Sequence, residues 1–128
     1  MARKTILVVD DEPQIRSLVK TVLARRRHRI LEASDGVEAL GIVGRPRIKI
    51  DLLLTDIVMP GMDGIELARR TASQSPEVRV IYMSGKCEAE AVRLDMDTRG
   101  FGFVRKPFDL GELDVKVSES LAKAPKKA

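Results

Sequence analysis

Thr5-Ile6-Leu7-Val8-Val9-Asp10-Asp11-Glu12 is the stretch whose reading decides the fold. Thr5–Asp10 is short, nearly all apolar and bounded by charges, which is the pattern of a strand covered on both faces rather than on one. A helix follows it. Ile15, Leu18, Val19, Val22 and Leu23 recur at the spacing of one helical face, with Pro13 suited to the first turn. Working outward, the same alternation repeats. Arg29–Ala33 reads as a second strand. Ser34 or Asp35 caps a helix carrying Val37, Ala39, Leu40 and Val43, ended by Gly44 and Pro46. Asp51–Asp56, with Leu52-Leu53-Leu54, is a third strand. Met59-Pro60-Gly61-Met62-Asp63-Gly64 is a loop by its turn residues and opens a helix through about Ser73. Val78–Met83 and Phe101–Val104 are the fourth and fifth strands. Between them Glu88–Asp95 reads as a weakly amphipathic helix with a thin stripe of Ala89, Val92 and Leu94. Asp109 caps a last helix with Leu110, Leu113, Val117 and Leu121 on one face. Five strands alternating with five helices predict an α/β fold, a doubly wound parallel sheet with helices on both faces.

Composition narrows the functional classes. A length of 128 residues suits one domain, and 44% hydrophobic with 33% charged residues describes a globular chain, not a disordered or membrane-embedded one. No apolar run approaches the ~18 residues of a spanning helix. The first run stops at two aspartates and cannot serve as a signal-peptide core, so a cytoplasmic location is expected. One cysteine, Cys87, and one histidine, His28, exclude an internal disulfide, a His/Cys zinc site and Ser-His-Asp chemistry. The net charge of +4 raises the question of nucleic acid. Basic residues gather at Arg25–Arg29, from Arg45 to Lys49, and in a tail, 123–128, that is expected to fray. Only three Phe and one Tyr are available for base stacking, however, and none adjoins those clusters in sequence. The Arg25–Arg29 run therefore reads as a solvated helix end, where cations favour the helix dipole.

In a doubly wound sheet the ligand crevice lies beyond the carboxyl ends of the strands, where strand order reverses. Chemically capable residues gather at those ends: Asp10 and Asp11 after the first strand, Asp56 at the third, Ser84 at the fourth and Lys106 after the fifth. In the order 2-1-3-4-5 the first and third strands are neighbours, so three carboxylates converge. Such a cluster is self-repelling unless a cation joins it, and oxygen-only ligands suit Mg²⁺. A carboxylate there can act as a nucleophile toward phosphorus. The Lys106 ammonium and the Ser84 hydroxyl are suited to the charge that develops on the phosphoryl oxygens. Taken singly, each has a plainer reading: Asp11 as a helix cap, Ser84-Gly85 as a turn, Lys106 as a surface lysine.

The segments Ile6–Glu12 (ILVVDDE), Leu54–Gly64 (LTDIVMPGMDG), Tyr82–Gly85 (YMSG) and Lys106-Pro107-Phe108 together resemble the receiver domain of two-component response regulators. The resemblance covers about residues 4–122 and implies a flavodoxin-like receiver domain over 1–122 with a basic tail over 123–128. It implies that Asp56 accepts a phosphoryl group from a histidine kinase or histidine phosphotransfer protein. Mg²⁺ would be held by Asp11, Asp56 and the Val58 carbonyl, with Asp10 acting through a metal-bound water. Ser84 and Lys106 would hold the phosphoryl oxygens, and the Lys106–Pro107 bond is often cis in this family. Ser84 drawn toward the phosphoryl group would let Phe103 turn inward, and a downstream target protein would read that change.

Departures are visible too. Phe103 lacks the hydroxyl of the commoner tyrosine. Gly85 after Ser84 makes the chain similar to receivers of hybrid histidine kinases. Val58 and Lys86 sit where the family tunes access of hydrolytic water. The expected function is a phosphorylation switch without an output domain of its own, catalysing only its own phosphorylation and autodephosphorylation. Two rivals are a Mg²⁺-dependent aspartyl-phosphate phosphatase and a phosphorylation-independent interaction module. The first is disfavoured because Val58 supplies no acid two residues past the nucleophile. The second is disfavoured because no member of the acid, hydroxyl and lysine set is missing.

Overall fold

A computed structural model describes residues 3–85 and 102–123. Its strands are β1 (Thr5–Val9), β2 (Arg29–Ala33), β3 (Leu52–Asp56), β4 (Arg79–Ser84) and β5 (Gly102–Arg105), all parallel in the order β2-β1-β3-β4-β5. The helices are α1 (Pro13–Leu23), α2 (Gly36–Val43), α3 (Gly64–Gln74) and α4 (Leu110–Ala122). The helix expected at Glu88–Asp95 lies outside the described residues, as do Lys86 and the tail beyond Lys123.

The unbroken apolar strands are explained by two cores, one on each face. Along β1, Ile6 and Val8 face α1 and α4 with Leu52, Leu54, Ile81, Met83, Leu113 and Val117, while Leu7 and Val9 face α2 and α3 with Leu53, Val80, Tyr82, Ala39 and Leu67. Side chains alternate across a strand, so a strand buried on both sides has no polar position left. Leu52, Leu53 and Leu54 are each wholly buried. Each contributes about 1.5–3 kcal/mol of burial.

Carboxylates cap three helices, Asp35 and Asp109 as the sequence suggests and Asp63 in addition. Asp35 accepts from the Glu38 N–H at 2.8 Å, Asp63 from the Glu66 N–H at 2.8 Å, and Asp109 from the Gly111 and Glu112 N–H groups at 2.7 and 3.2 Å. Ser34 is not the cap. Its N–H and hydroxyl donate to the Glu38 carboxylate instead. Three apolar residues expected on the packed faces are exposed: Leu18, Val37 and Leu110. The helices meet the sheet along narrower stripes, which Val19, Val22 and Leu23 supply in α1, Ala39, Ile42 and Val43 in α2, and Leu113 and Val117 in α4. Residues one turn-third away from those stripes face solvent.

The Arg25–Arg29 run continues α1 as a single 3₁₀ turn, Ala24–Arg26, closed by Arg27 at φ 60°. Arg26 is not merely solvated. Its guanidinium forms a two-pronged ion pair with Asp114 of α4, at 3.2 and 2.8 Å, which holds the Asp114 carboxyl below its usual range. At the same end, Arg79 is buried and donates twice to the Lys123 carbonyl, at 3.0 and 2.6 Å, capping the end of α4.

One glycine is fixed by close approach. A Cβ on Gly64, at the start of α3, would stand 2.1 Å from the Asp56 carbonyl oxygen, and the Gly64 N–H donates to the Ile57 carbonyl at 2.8 Å. The colliding atom is backbone and cannot step aside. Gly64→Ala should therefore destabilise the protein by about 1–3 kcal/mol, the usual cost of overpacking a tight site, measured by urea unfolding. A stability equal to wild type would contradict the close approach.

Candidate phosphoryl and cation site

The register of the sheet assembles the site. Val9 of β1 is paired with Thr55 of β3, so the next residue of each chain segment, Asp10 and Asp56, emerge side by side at the sheet's carboxyl end. Met83 lies opposite Asp56 and Ser84 opposite Arg105, which brings the end of β4 and Lys106 to the same edge. One carboxylate oxygen from each of Asp10, Asp11 and Asp56 lies within 4.8 Å of the other two. Asp10 and Asp56 are buried, and Asp11 is exposed.

Backbone contacts fix the acids. Asp10 accepts from the Glu12 N–H through Oδ1 at 2.9 Å, and its own N–H donates to the Ala33 carbonyl at 3.2 Å. Asp56 accepts from the Ile57 N–H at 2.9 Å. The Thr55 hydroxyl donates to the Asp56 carbonyl at 2.8 Å. Asp11 has a different status. The N-cap of α1 is Glu12, without a side-chain cap bond, so Asp11 does not cap the helix and its carboxylate belongs to the cluster.

Lys106 is the cation the cluster requires. Its Nζ lies 2.6 Å from Asp10 Oδ2, 3.5 Å from Asp56 Oδ2 and 3.8 Å from Glu12 Oε1. Burial alone would lower the Lys106 pKa, but the hydrogen bond and charge of Asp10, with Asp56 and Glu12, raise it above the usual lysine value. For Asp56 the balance goes the other way from an ordinary ion pair. Burial raises its pKa and the charge of Asp10 adds to that rise, outweighing the nearby Lys106 ammonium and the Ile57 N–H. The ammonium stands closer to Asp10 than to Asp56.

Ser84 is buried at the end of β4, and its carbonyl accepts from the Lys106 N–H at 2.8 Å, so the hydroxyl-bearing and ammonium-bearing residues are tied through their backbones. Gly85 lies against the Lys106 side chain, where a Cβ would stand 3.5 Å from that of Lys106. The Lys106–Pro107 peptide is cis, as the resemblance implies. Phe103 is half-buried, opposite Tyr82 in register and packed against the α2–α3 core. Val58, two residues past Asp56, exposes its side chain. Lys86 lies outside the described residues.

Two participants were not legible as such. Glu12 was read only as part of a motif, yet its carboxylate approaches Lys106. Arg16 carries no role in the sequence analysis, yet its guanidinium reaches back to the Asp10 carbonyl at 2.6 Å. The available signal was its position within the first turns after the paired aspartates. By contrast, Arg26, Arg27 and His28 lie with Arg3 and Lys4 around a separate cleft beside Leu121 and Ala122, lined among the described residues by no Phe or Tyr. No helix of the described residues is long and apolar enough to cross a membrane.

The donor set is chemically suited to Mg²⁺, being three carboxylates and no soft ligand. The doubly wound fold gathers acids, a hydroxyl and an ammonium at this one edge, and sequence comparison gives the family. The chain belongs to the response regulator receiver domain family, whose profile matches residues 6–118. It is 39% identical over 120 residues to the sensor kinase CckA of Brucella abortus, covering 93% of this chain and 13% of that protein. It is 34% identical over 121 residues to sporulation initiation phosphotransferase F of Bacillus subtilis, covering 94% of this chain and 96% of that protein. The crystal structure of the receiver domain from hybrid histidine kinase CckA superposes with a TM-score of 0.76 at 35% identity, covering 91% of this chain and 98% of that one. The likeness to hybrid-kinase receivers suggested by Gly85 is thus supported. The chain spans only a small part of the kinase relative.

The raised pKa of Asp56 makes a stability prediction. The folded protein holds a proton on this carboxyl more readily than the unfolded chain, so stability is lost as pH rises from the ordinary value of 3.8 through the folded pKa. Asp56→Asn removes that loss, and Lys106 keeps its partner Asp10. The variant should be more stable than wild type at pH 7, with the difference shrinking as pH falls toward 3.8. Urea unfolding across that range checks the sign, and a variant less stable at pH 7 would contradict it.

Proposed function

We propose that the chain is a phosphoacceptor switch of a two-component phosphorelay. An Asp56 carboxylate oxygen attacks the phosphorus of a phosphohistidine on a histidine kinase or phosphotransfer protein. The new O–P bond forms as the N–P bond breaks, and the imidazole departs with its electron pair and takes up a proton. The single observation that carries this reading is the juxtaposition of a buried, raised-pKa Asp56 with Asp10, Asp11 and the Lys106 ammonium.

Each residue has a distinct task. Asp56 is the nucleophile, and the buried site keeps its charge poorly solvated and therefore reactive. Asp10, Asp11, Asp56 and the Val58 carbonyl would hold Mg²⁺, which when bound neutralises charge among the carboxylates and phosphoryl oxygens. Lys106 contacts the phosphoryl group as a point charge. The Ser84 hydroxyl donates to a phosphoryl oxygen, and its displacement opens space into which Phe103 turns. This surface change is what a downstream target protein reads. Val58 carries no acidic group to protonate a leaving group, which favours a switch over a phosphatase acting on other substrates. The only reactions proposed are phosphorylation of the chain itself and hydrolysis of its own acyl phosphate. A cytoplasmic setting accords with a phosphorelay.

Incubation with Mg²⁺ and acetyl phosphate, followed by peptide mass analysis, should place a single added phosphate on Asp56. Asp56→Asn should incorporate less than about 1% of the wild-type amount, since an amide is not a nucleophile. Equal incorporation by the variant, or phosphate on another residue of the wild type, would overturn the reading.

A further inference from the structure

We propose that Arg16 is a positioning residue for the cation site, acting by clamping the peptide that joins Asp10 to Asp11. The inference rests on the function proposed above. Arg16 Nη1 donates to the Asp10 carbonyl at 2.6 Å, and its Nε lies 3.4 Å from Glu32 Oε1 on β2. The side chain is largely covered, at 18% exposure. One guanidinium from the second turn of α1 thus ties the exit of β1 to the neighbouring strand.

The consequence follows from peptide geometry. A peptide unit is planar, so fixing the Asp10 carbonyl fixes the plane that carries the chain to the Asp11 Cα. Asp10 itself is already held through its carboxylate by the Glu12 N–H and Lys106, and through its N–H by Ala33. Asp11 is exposed and does not cap α1, so the clamp on its preceding carbonyl, with the Glu12 N–H bond to Asp10 on its other side, restrains where its carboxylate stands. Ordering that carboxylate before a cation arrives reduces the entropy lost on binding.

An opposing effect must be weighed. A guanidinium near a cation site repels the incoming ion. Glu32 offsets that charge at 3.4 Å, and Lys20 in turn lies 3.4 Å from the other oxygen of Glu32. The two effects have opposite signs. Loss of the clamp weakens Mg²⁺ binding, whereas loss of repulsion strengthens it.

Arg16→Met removes clamp and charge together, and Arg16→Lys keeps the charge but cannot bridge both acceptors. Titration calorimetry with Mg²⁺ should give a Kd raised about tenfold in Arg16→Met and roughly threefold in Arg16→Lys. Phosphorylation by acetyl phosphate should return to the wild-type rate at saturating Mg²⁺. In metal-free protein, amide NMR of Asp11 and Glu12 should shift in both variants, an arm that does not depend on metal binding. Unchanged or tighter Mg²⁺ binding, a rate that saturating Mg²⁺ does not restore, or unmoved Asp11 and Glu12 amides would overturn the proposal. Should Arg16→Met fail to fold, Arg16→Lys decides by the same readings. Wild-type protein that binds no Mg²⁺ would instead remove the metal from the proposed function, with the amide arm still deciding the clamp.

Discussion

Like-charge repulsion at the carboxyl edge of the sheet is the constraint around which the functional end of the molecule is organised. Asp10, Asp11 and Asp56 present oxygens within 4.8 Å of one another, two of them from buried residues. Such an arrangement is tolerable only with a cation, and Lys106 provides one from β5, two strands away from β3. The ammonium is not shared evenly. It stands 2.6 Å from Asp10 and 3.5 Å from Asp56, and at Asp56 burial, with the charge of Asp10, raises the carboxyl pKa despite that ammonium. The ion pair thus falls mainly on Asp10.

The rest of the fold serves to hold this strained edge. Two dry cores clamp the strands from either side, so the loops after β1, β3, β4 and β5 start from rigid ends. Gly64 lets α3 begin against the Asp56 carbonyl, and the Lys106 N–H bond to the Ser84 carbonyl joins the last two strand exits. The Ser84 hydroxyl and the Lys106 ammonium thus sit on strand exits tied together by a backbone hydrogen bond. Arg16 extends the same logic to the β1 exit, outside the carboxylates themselves.

Strand positions and the acid cluster were legible in the sequence because doubly buried parallel strands leave long apolar runs that end abruptly at polar residues. Val8-Val9-Asp10 and Leu54-Thr55-Asp56 show that ending plainly. Helix faces were less legible: Val37 and Leu18 fit the periodicity but fall outside contact stripes whose width depends on how the helices sit on the sheet. Long side chains were the least legible. Arg26 reads as part of a solvated helix end, and the sequence assigns no partner to Arg16 or Arg79, yet the three reach Asp114, the Asp10 carbonyl and the Lys123 carbonyl. Flexible stems of that length select their partners from tertiary proximity, which spacing along the chain does not encode.

The central claim is that Asp10, Asp11 and Asp56 act as one site for a hard cation. Mg²⁺ titration read at the carboxyl carbon resonances of ¹³C-labelled aspartates tests it most directly. The account predicts that these three shift together along a single binding curve while Asp51, held by the Thr5 N–H, and Asp114, paired with Arg26, stay fixed. Independent curves for the three, or a cluster unmoved by Mg²⁺, would contradict it.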